Sequence, residues 1–394
     1  MISSKKIDPM FGRTDVSLVG RWWWTVDRLS LGALILLIVI GAVLVMAASP
    51  PVALRLELDP NHFIYRKLLL VIPAIVIVIF TSMLSPGVVR RIATIGLAIS
   101  LVLLFWTVIG GTEVKGARRW ISLGGLLLQP SELVKPTLAI TAAAILAGAP
   151  VRKSRWAHLI TAALLALVVG LLLMQPDFGM AMVVSGVWFV QLFVAGISLY
   201  WDIGLLLCVG LVALVSYLYL PHVAGRIDQF IDPAIGDRYQ VDKALEALRV
   251  GGFLGRGPGE GQVKSVLPDA HSDFIFAVAG EEFGVLAGLI IVMLFALVVV
   301  RGLWRLSSEK DSFVLLSAVG LLVQFGGQAV ANIGVNLHLL PTKGMTLPFI
   351  SYGGSSMLAM AIGMGMFLAL TKERVGSRNL NGWSKLQHYG AMNQ

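Results

Sequence analysis

Ten apolar runs, each close to the length a helix needs to cross a bilayer, decide most of what this chain can fold into. A helix requires roughly 20 apolar residues to span about 30 Å of hydrocarbon. The runs fall at about 29–49, 68–84, 92–110, 133–149, 157–174, 178–199, 203–220, 274–300, 313–332 and 349–370. Hydrocarbon offers the backbone no hydrogen-bond partner, so a run of this kind must satisfy its own N–H and C=O groups as a helix. Of the 394 residues, 57% are hydrophobic and only 13% charged, and the connecting loops are too short to hold a soluble domain. The expected fold is therefore all-α: a polytopic membrane bundle of about ten helices, with a large extracytoplasmic loop before the eighth.

Basic residues orient that bundle. Arg90, Arg91, Arg152, Lys153, Arg155, Arg301, Arg305 and Lys310 fall on the face shared with Lys5, Lys6, Arg13, Lys372 and Arg374, and the positive-inside rule makes that face cytoplasmic. The chain then divides into a cytoplasmic segment 1–28, a ten-span membrane domain 29–371 and a cytoplasmic tail 372–394. Trp22, Trp23 and Trp24 precede the first span, where an interfacial aromatic anchor belongs. The net charge of +9 comes mainly from span ends and not from one recognition face, which argues against nucleic acid as a partner. Cys208, the single cysteine, lies inside an apolar run, so neither a disulfide framework nor a cysteine metal site is expected.

The outward loops are 50–67, 111–132, 175–177, 221–272 and 333–348. Loop 221–272 carries six basic and seven acidic residues, a balance that suits a structured segment, and Val241 to Val250 reads as a short amphipathic helix. Six glycines lie within Gly251–Gly261. They form no nucleotide-binding frame, since no G-x-G-x-x-G closes and Lys264 does not follow a glycine. Two readings stay open: a plain connector, or backbone freed to approach a ligand closely. The six histidines are scattered, so no dedicated metal cage is expected. No cofactor is required, although a magnesium or manganese ion bridging a phosphate and a carboxylate would leave no signature in the sequence.

Carboxylates at the start of the eighth span are the most informative polar groups, because ionised residues in a membrane segment are expensive and mark function or pairing. On an ideal helix Glu281 lies about 80° and Glu282 about 180° round from Asp273, while Ala277, Gly280 and Gly284 share its face. Asp273 thus has a groove of small residues beneath it and no acidic neighbour, which favours a single general base over an acid–base pair. An N-cap is the competing role for an aspartate at this place. Glu281 and Glu282 are expected to pair with a neighbouring span. Lys115, Arg118, Arg119 and Lys343 on the outer face, with Lys135 just inside the fourth span, suit a phosphate-bearing substrate; snorkelling to lipid headgroups is the alternative.

The chain resembles the shape, elongation, division and sporulation (SEDS) family of membrane glycosyltransferases. The resemblance rests on Lys115-Gly116-Ala117-Arg118-Arg119-Trp120, Gln129-Pro130-Ser131-Glu132, Gln175-Pro176-Asp177, Leu267-Pro268-x-Ala270-His271-x-Asp273-Phe274, Glu281-Glu282-x-Gly284, and the run from Leu340 to Ser356 with Lys343, Ser351 and Ser355. Its Leu-Pro-x-Ala-His and Pro-Phe-Ile-Ser-Tyr-Gly-Gly-Ser-Ser forms are similar to the division branch. Leu245-Glu246-Ala247-Leu248 departs from the glutamine- and serine-containing segment of many relatives.

The resemblance implies polymerisation of lipid II into glycan strands during septal wall synthesis, on the periplasmic face of the bacterial cytoplasmic (inner) membrane. It places Asp273 at the family's essential aspartate. Lys115, Arg119, Glu132, Lys135, Asp177, His271, Lys343, Ser351 and Ser355 become the expected substrate-binding residues. The implied partners are a class B penicillin-binding protein, the septal transpeptidase, and other divisome proteins. Gly326 and Gly327 are small enough to admit the transpeptidase's single helix. Two rival readings are a lipid II flippase, with Lys135, Gln324 and Gln328 lining a path, and a non-catalytic divisome scaffold.

Overall fold

The computed structural model describes residues 17–114, 117–123, 126–148, 155–197, 239–341 and 344–373, with scattered positions between 204 and 228. Helices occupy nine of the ten expected spans: α2 (Arg28–Arg55), α3 (His62–Ser82), α4 (Pro86–Gly110), α5 (Pro130–Ala147), α6 (Arg155–Met174), α7 (Phe178–Val194), α9 (Ile275–Leu306), α10 (Ser312–Asn336) and α11 (Gly354–Leu370). Six of them are long and apolar enough to cross a membrane on length and composition. The expected span 203–220 lies mostly outside the described residues. Two more helices stand among the described residues outside these spans: α1 (Leu18–Thr25), ahead of the first span, and α8 (Tyr239–Gly251), which contains the predicted Val241–Val250 helix. The molecule is a polytopic helical membrane protein.

Loop 111–132 departs from the all-helical expectation by a small antiparallel sheet, β1 (Thr112–Val114), β2 (Ala117–Leu123) and β3 (Leu126–Leu128), in the order β1-β2-β3. Thr112 pairs with Trp120 and Ile121 with Leu128. Threonine, tryptophan and isoleucine fit a pleated, half-buried surface well, which accounts for strand formation in a loop between helices.

Both described ends of the chain meet at one end of the bundle. Arg301 Nε donates to both carboxylate oxygens of the buried Asp27, at 2.8 and 2.7 Å, and Arg305 pairs with Asp27 at 3.6 Å and with Glu373 at 3.3 Å. Trp22 Nε1 donates to Ser82 Oγ at 2.8 Å, and the Arg28 guanidinium lies over the Trp23 and Trp24 rings. Midway along its length α2 meets the turn before α11. A Cβ on Gly41 would stand 2.4 Å from the Phe349 carbonyl oxygen, so only glycine allows that approach. This turn, Phe349–Gly353, delays α11 to Gly354, five residues later than apolarity alone predicts.

The glycine-rich loop is more than a plain connector. Helix α9 breaks at Gly284, where φ is +77°. Segment 252–257 lies across the break: Arg256 N donates to Glu281 O, Gly257 N to Glu282 O and Val285 N to Gly252 O, each at 3.0 Å. The loop supplies the partners that the interrupted helix lacks. The expected pairing of Glu281 and Glu282 with a neighbouring span is also corrected, because both turn toward this same loop. Glu281 accepts from the N–H groups of Val263 (2.7 Å) and Lys264 (2.9 Å), and Glu282 forms an ion pair with Lys264. The small-residue groove beneath Asp273 is filled by α8, with Leu248 against Gly280 and Gly251 against the Gly280 carbonyl.

Candidate active site

Asp273 lies two residues before α9, half-buried, on a segment whose backbone is held at three consecutive carbonyls. The His271 carbonyl accepts from Tyr352 N at 2.9 Å, and the Ser272 carbonyl accepts from Ser351 Oγ. The Asp273 carbonyl accepts from Asn332 Nδ2 at 2.9 Å and Asn336 Nδ2 at 3.0 Å. Asp269, at φ +51°, makes the tight turn beneath, its carbonyl accepting from the N–H groups of Ser272, Asp273 and Phe274. The carboxylate faces the 344–353 segment, since a Cβ on Gly344 would lie 3.4 Å from Asp273 Oδ2. The helix N-cap is Phe274 and not Asp273, and Ala277 N donates to Asn336 Oδ1 at 3.1 Å. Capping therefore does not explain the aspartate.

Of the expected site residues, His271 and Ser351 join Asp273 directly. The His271 ring is buried against Phe63 (4.6 Å between centroids) and Tyr352 (5.2 Å). Ser351 Oγ, besides donating to Ser272, accepts from Leu347 N at 2.8 Å.

Glu132 and Lys135 form a buried ion pair at 2.6 Å within α5, and Lys135 also donates to Gln328 Oε1 at 3.0 Å. Gln328 in turn donates to the Thr346 carbonyl at 2.9 Å, which connects the pair to the segment facing Asp273. Lys135, expected just inside the fourth span, is thus paired with Glu132 and only 2% exposed. Gln328 is bonded at both ends of its amide, so it does not line an open path.

Arg119 and Asp177 meet each other at the 175–177 turn. Arg119 Nε donates to the Gln175 carbonyl at 2.9 Å and Nη2 to that of Pro176, while Nη1 is 3.8 Å from Asp177 Oδ1. The guanidinium fastens the 175–177 turn, a structural duty that its expected substrate contact left out. Asp177 caps α7 through Met180 N, and burial raises its carboxyl above the ordinary range against the pull of Arg119. Ser355 bridges Leu127 O and Gln129 N, tying α11 to β3. Lys115 and Lys343 lie outside the described residues. Among the described residues no three His, Cys, Asp or Glu side chains gather as a metal cage.

Three buried residues of this site escaped the sequence reading: Asn332, Asn336 and Lys67. With Gln328, the two asparagines recur every four residues along α10, a period that places amides on one helix face. Lys67 stands six residues into an apolar helix, a signal of the same kind as the carboxylates of α9.

Comparison with known proteins bears on the family and the fold. A family model for FtsW, RodA and SpoVE, described as a cell cycle protein, matches residues 27–375. A Caulobacter vibrioides protein named probable peptidoglycan glycosyltransferase FtsW is 42% identical over 94% of this chain and 96% of its own length. A chain solved in work on the structural coordination of polymerization and crosslinking by a peptidoglycan synthase complex superposes with a TM-score of 0.72, at 29% identity, over 89% of this chain and 98% of that one. The Thermus thermophilus rod shape determining protein RodA gives 0.66 at 28% identity, over 89% and 97%. The chain belongs to the FtsW, RodA and SpoVE family of cell cycle proteins, the SEDS family that its motifs resemble.

Proposed function

We propose that this chain is a peptidoglycan glycosyltransferase that polymerises lipid II at the periplasmic face of the bacterial inner membrane during septal wall synthesis, with Asp273 as general base. The observation that carries this reading is the half-buried Asp273 on a segment fixed at three successive carbonyls. A base must be held in place to contribute its typical ~10² to 10⁴ in rate. The acceptor sugar hydroxyl gives its proton to Asp273 as its oxygen bonds to the anomeric carbon of the donor. The bond from that carbon to the lipid diphosphate breaks, and its electron pair stays on the phosphate oxygen. Such a leaving group needs cations more than an acid, and Lys343 and Lys115 are the candidates. Attack opposite the diphosphate inverts the anomeric centre. If a magnesium or manganese ion takes part, diphosphate oxygens and one carboxylate suffice to hold it, since magnesium keeps much of its water.

The partner in this reading is a single-span class B penicillin-binding protein acting with other divisome proteins; the solved neighbour belongs to a peptidoglycan synthase complex that coordinates polymerization and crosslinking. Gly326 is already packed against Val299 inside the bundle, so of the two small residues Gly327 is the open one.

The test is polymer formation from lipid II by the purified chain with its partner. Wild-type protein should make glycan, and Asp273→Asn should lose at least 10²-fold in rate while keeping partner binding and its melting midpoint. Equal rates in the two would remove the base assignment. A wild-type complex that moves lipid II between leaflets without polymer would favour the flippase, and one that does neither would favour the scaffold.

A further inference from the structure

Lys67 is 1% exposed, and its ammonium meets carbonyl oxygens: Nζ donates to Phe349 O at 2.8 Å, Ile350 O at 3.3 Å and Ser351 O at 2.9 Å. Three donors thus face three acceptors of one turn. Among the described residues no carboxylate lies within ion-pair distance of it. A buried charge without a counter-charge is costly and survives only where the fold replaces its water, so chain geometry at this turn is bound up with the ammonium. The turn itself is demanding, with Phe349 at φ +64°, a region that bulky residues rarely occupy.

From this turn two hydrogen bonds run to the residues just before Asp273. Ser351 Oγ donates to Ser272 O, and Tyr352 N donates to His271 O at 2.9 Å. We infer that Lys67 is a positioning residue for the polymerisation reaction: its ammonium sets the 349–351 turn, and the turn sets the backbone from which Asp273 reaches the acceptor hydroxyl. This rests on the reading of Asp273 as base. Lys67 itself is on α3, and its ammonium is engaged by the turn and not by substrate.

The experiment compares wild-type, Lys67→Met, Lys67→Arg, Ser351→Ala and the Lys67→Met/Ser351→Ala double variant, each as full-length chain in complex with its transpeptidase partner. Three quantities are read: kcat and KM with lipid II, the melting midpoint, and hydrogen exchange of segments 269–274 and 345–353. Displacement of a reacting group by about 1 Å costs on the order of 10²-fold, so Lys67→Met should lower kcat by roughly 10- to 100-fold, with KM changed less than about 3-fold. Lys67→Arg, which keeps donors, should recover some of the lost kcat. The double variant should be little worse than the poorer single one, because both act on one path. Exchange should quicken in both segments together.

A fall in melting midpoint with kcat unchanged per folded molecule, multiplicative losses in the double variant, or Met outperforming Arg would each overturn the positioning role in favour of packing. If Lys67→Met does not accumulate folded, Lys67→Arg and Ser351→Ala carry the same comparison. Absence of polymer from wild-type complex would sink the function instead. The exchange readout would still decide whether Lys67 holds 269–274.

Discussion

Asp273 owes its position to side chains sixty residues further on, and the cost of losing them is calculable in kind. Asn332 donates to the carbonyls of both Asp273 and Met345 (2.9 and 2.6 Å), whereas Asp273 retains Asn336 if Asn332 is lost. Asn332→Leu therefore strands the Met345 carbonyl, a penalty of about 1–3 kcal/mol for a buried unsatisfied group. A lower melting midpoint together with a lower kcat is expected. An unchanged kcat would show that the Asn336 bond alone suffices. Asp177 makes a different demand. Its folded pKa is raised by burial, so folding favours the protonated form. The stability this lends is complete below the ordinary carboxylate range and is lost as pH rises through the raised value. Asparagine keeps an acceptor for Met180 N and carries no charge to desolvate. Asp177→Asn should melt at or above wild-type at neutral pH, and its advantage should shrink toward pH 4. A variant that is less stable at pH 7 than at pH 4, relative to wild-type, would show that the Arg119 contact outweighs burial.

At the scale of elements, the join between loop 252–257 and the broken α9 sets up a contrast between glycines. Gly284 combines φ +77° with a Cβ position 2.3 Å from the Phe253 carbonyl, and Gly251 would place a Cβ 1.9 Å from that of Gly280. Gly252, at φ +57°, has nothing within 4 Å. Gly252→Ala should then cost only left-handed strain, about 1–2 kcal/mol, whereas Gly284→Ala and Gly251→Ala must also push the loop and α9 backbones away from each other. Protease sensitivity of 252–261 should rise in the latter pair and stay near wild-type in the first. Equal behaviour of all three would mean that the loop is a connector after all.

This element is the least legible in the sequence. Residues 274–300 read as continuous apolar helix because hydropathy carries no record of a positive φ, and the groups that mend the break lie about thirty residues upstream. Asp273, His271 and Ser351 are legible because their motifs are local. The amides of α10 sit in plain view at a four-residue period. Lys67 escapes a hydropathy reading because the second apolar run begins one residue beyond it.

Across the whole molecule the spans themselves are readable, since bilayer thickness imposes a length that no local preference overrides, and nine helices lie where apolar runs stand. The structure adds which ends belong together. Asp27, Arg301, Arg305, Ser82, Trp22 and Glu373 gather at one end, while Lys67, His271, Asp273 and Ser351 gather at the other. The end that holds Asp27 also carries the arginine-rich connections, so it should be cytoplasmic, and the Asp273 end should then face outward, where a lipid-linked sugar can meet it. Exposed positions at each end make this testable: Arg90 and Lys310 at the first, Asp59 and Val266 at the second. With Cys208 replaced, single cysteines at Asp59 and Val266 should react with a membrane-impermeant thiol reagent in cells whose outer membrane has been permeabilised. Cysteines at Arg90 and Lys310 should react only after the inner membrane is opened. Labelling at Arg90 or Lys310 in sealed cells would invert the molecule and put Asp273 on the side where its proposed acceptor strand is absent, and the glycosyltransferase reading would fall with the topology.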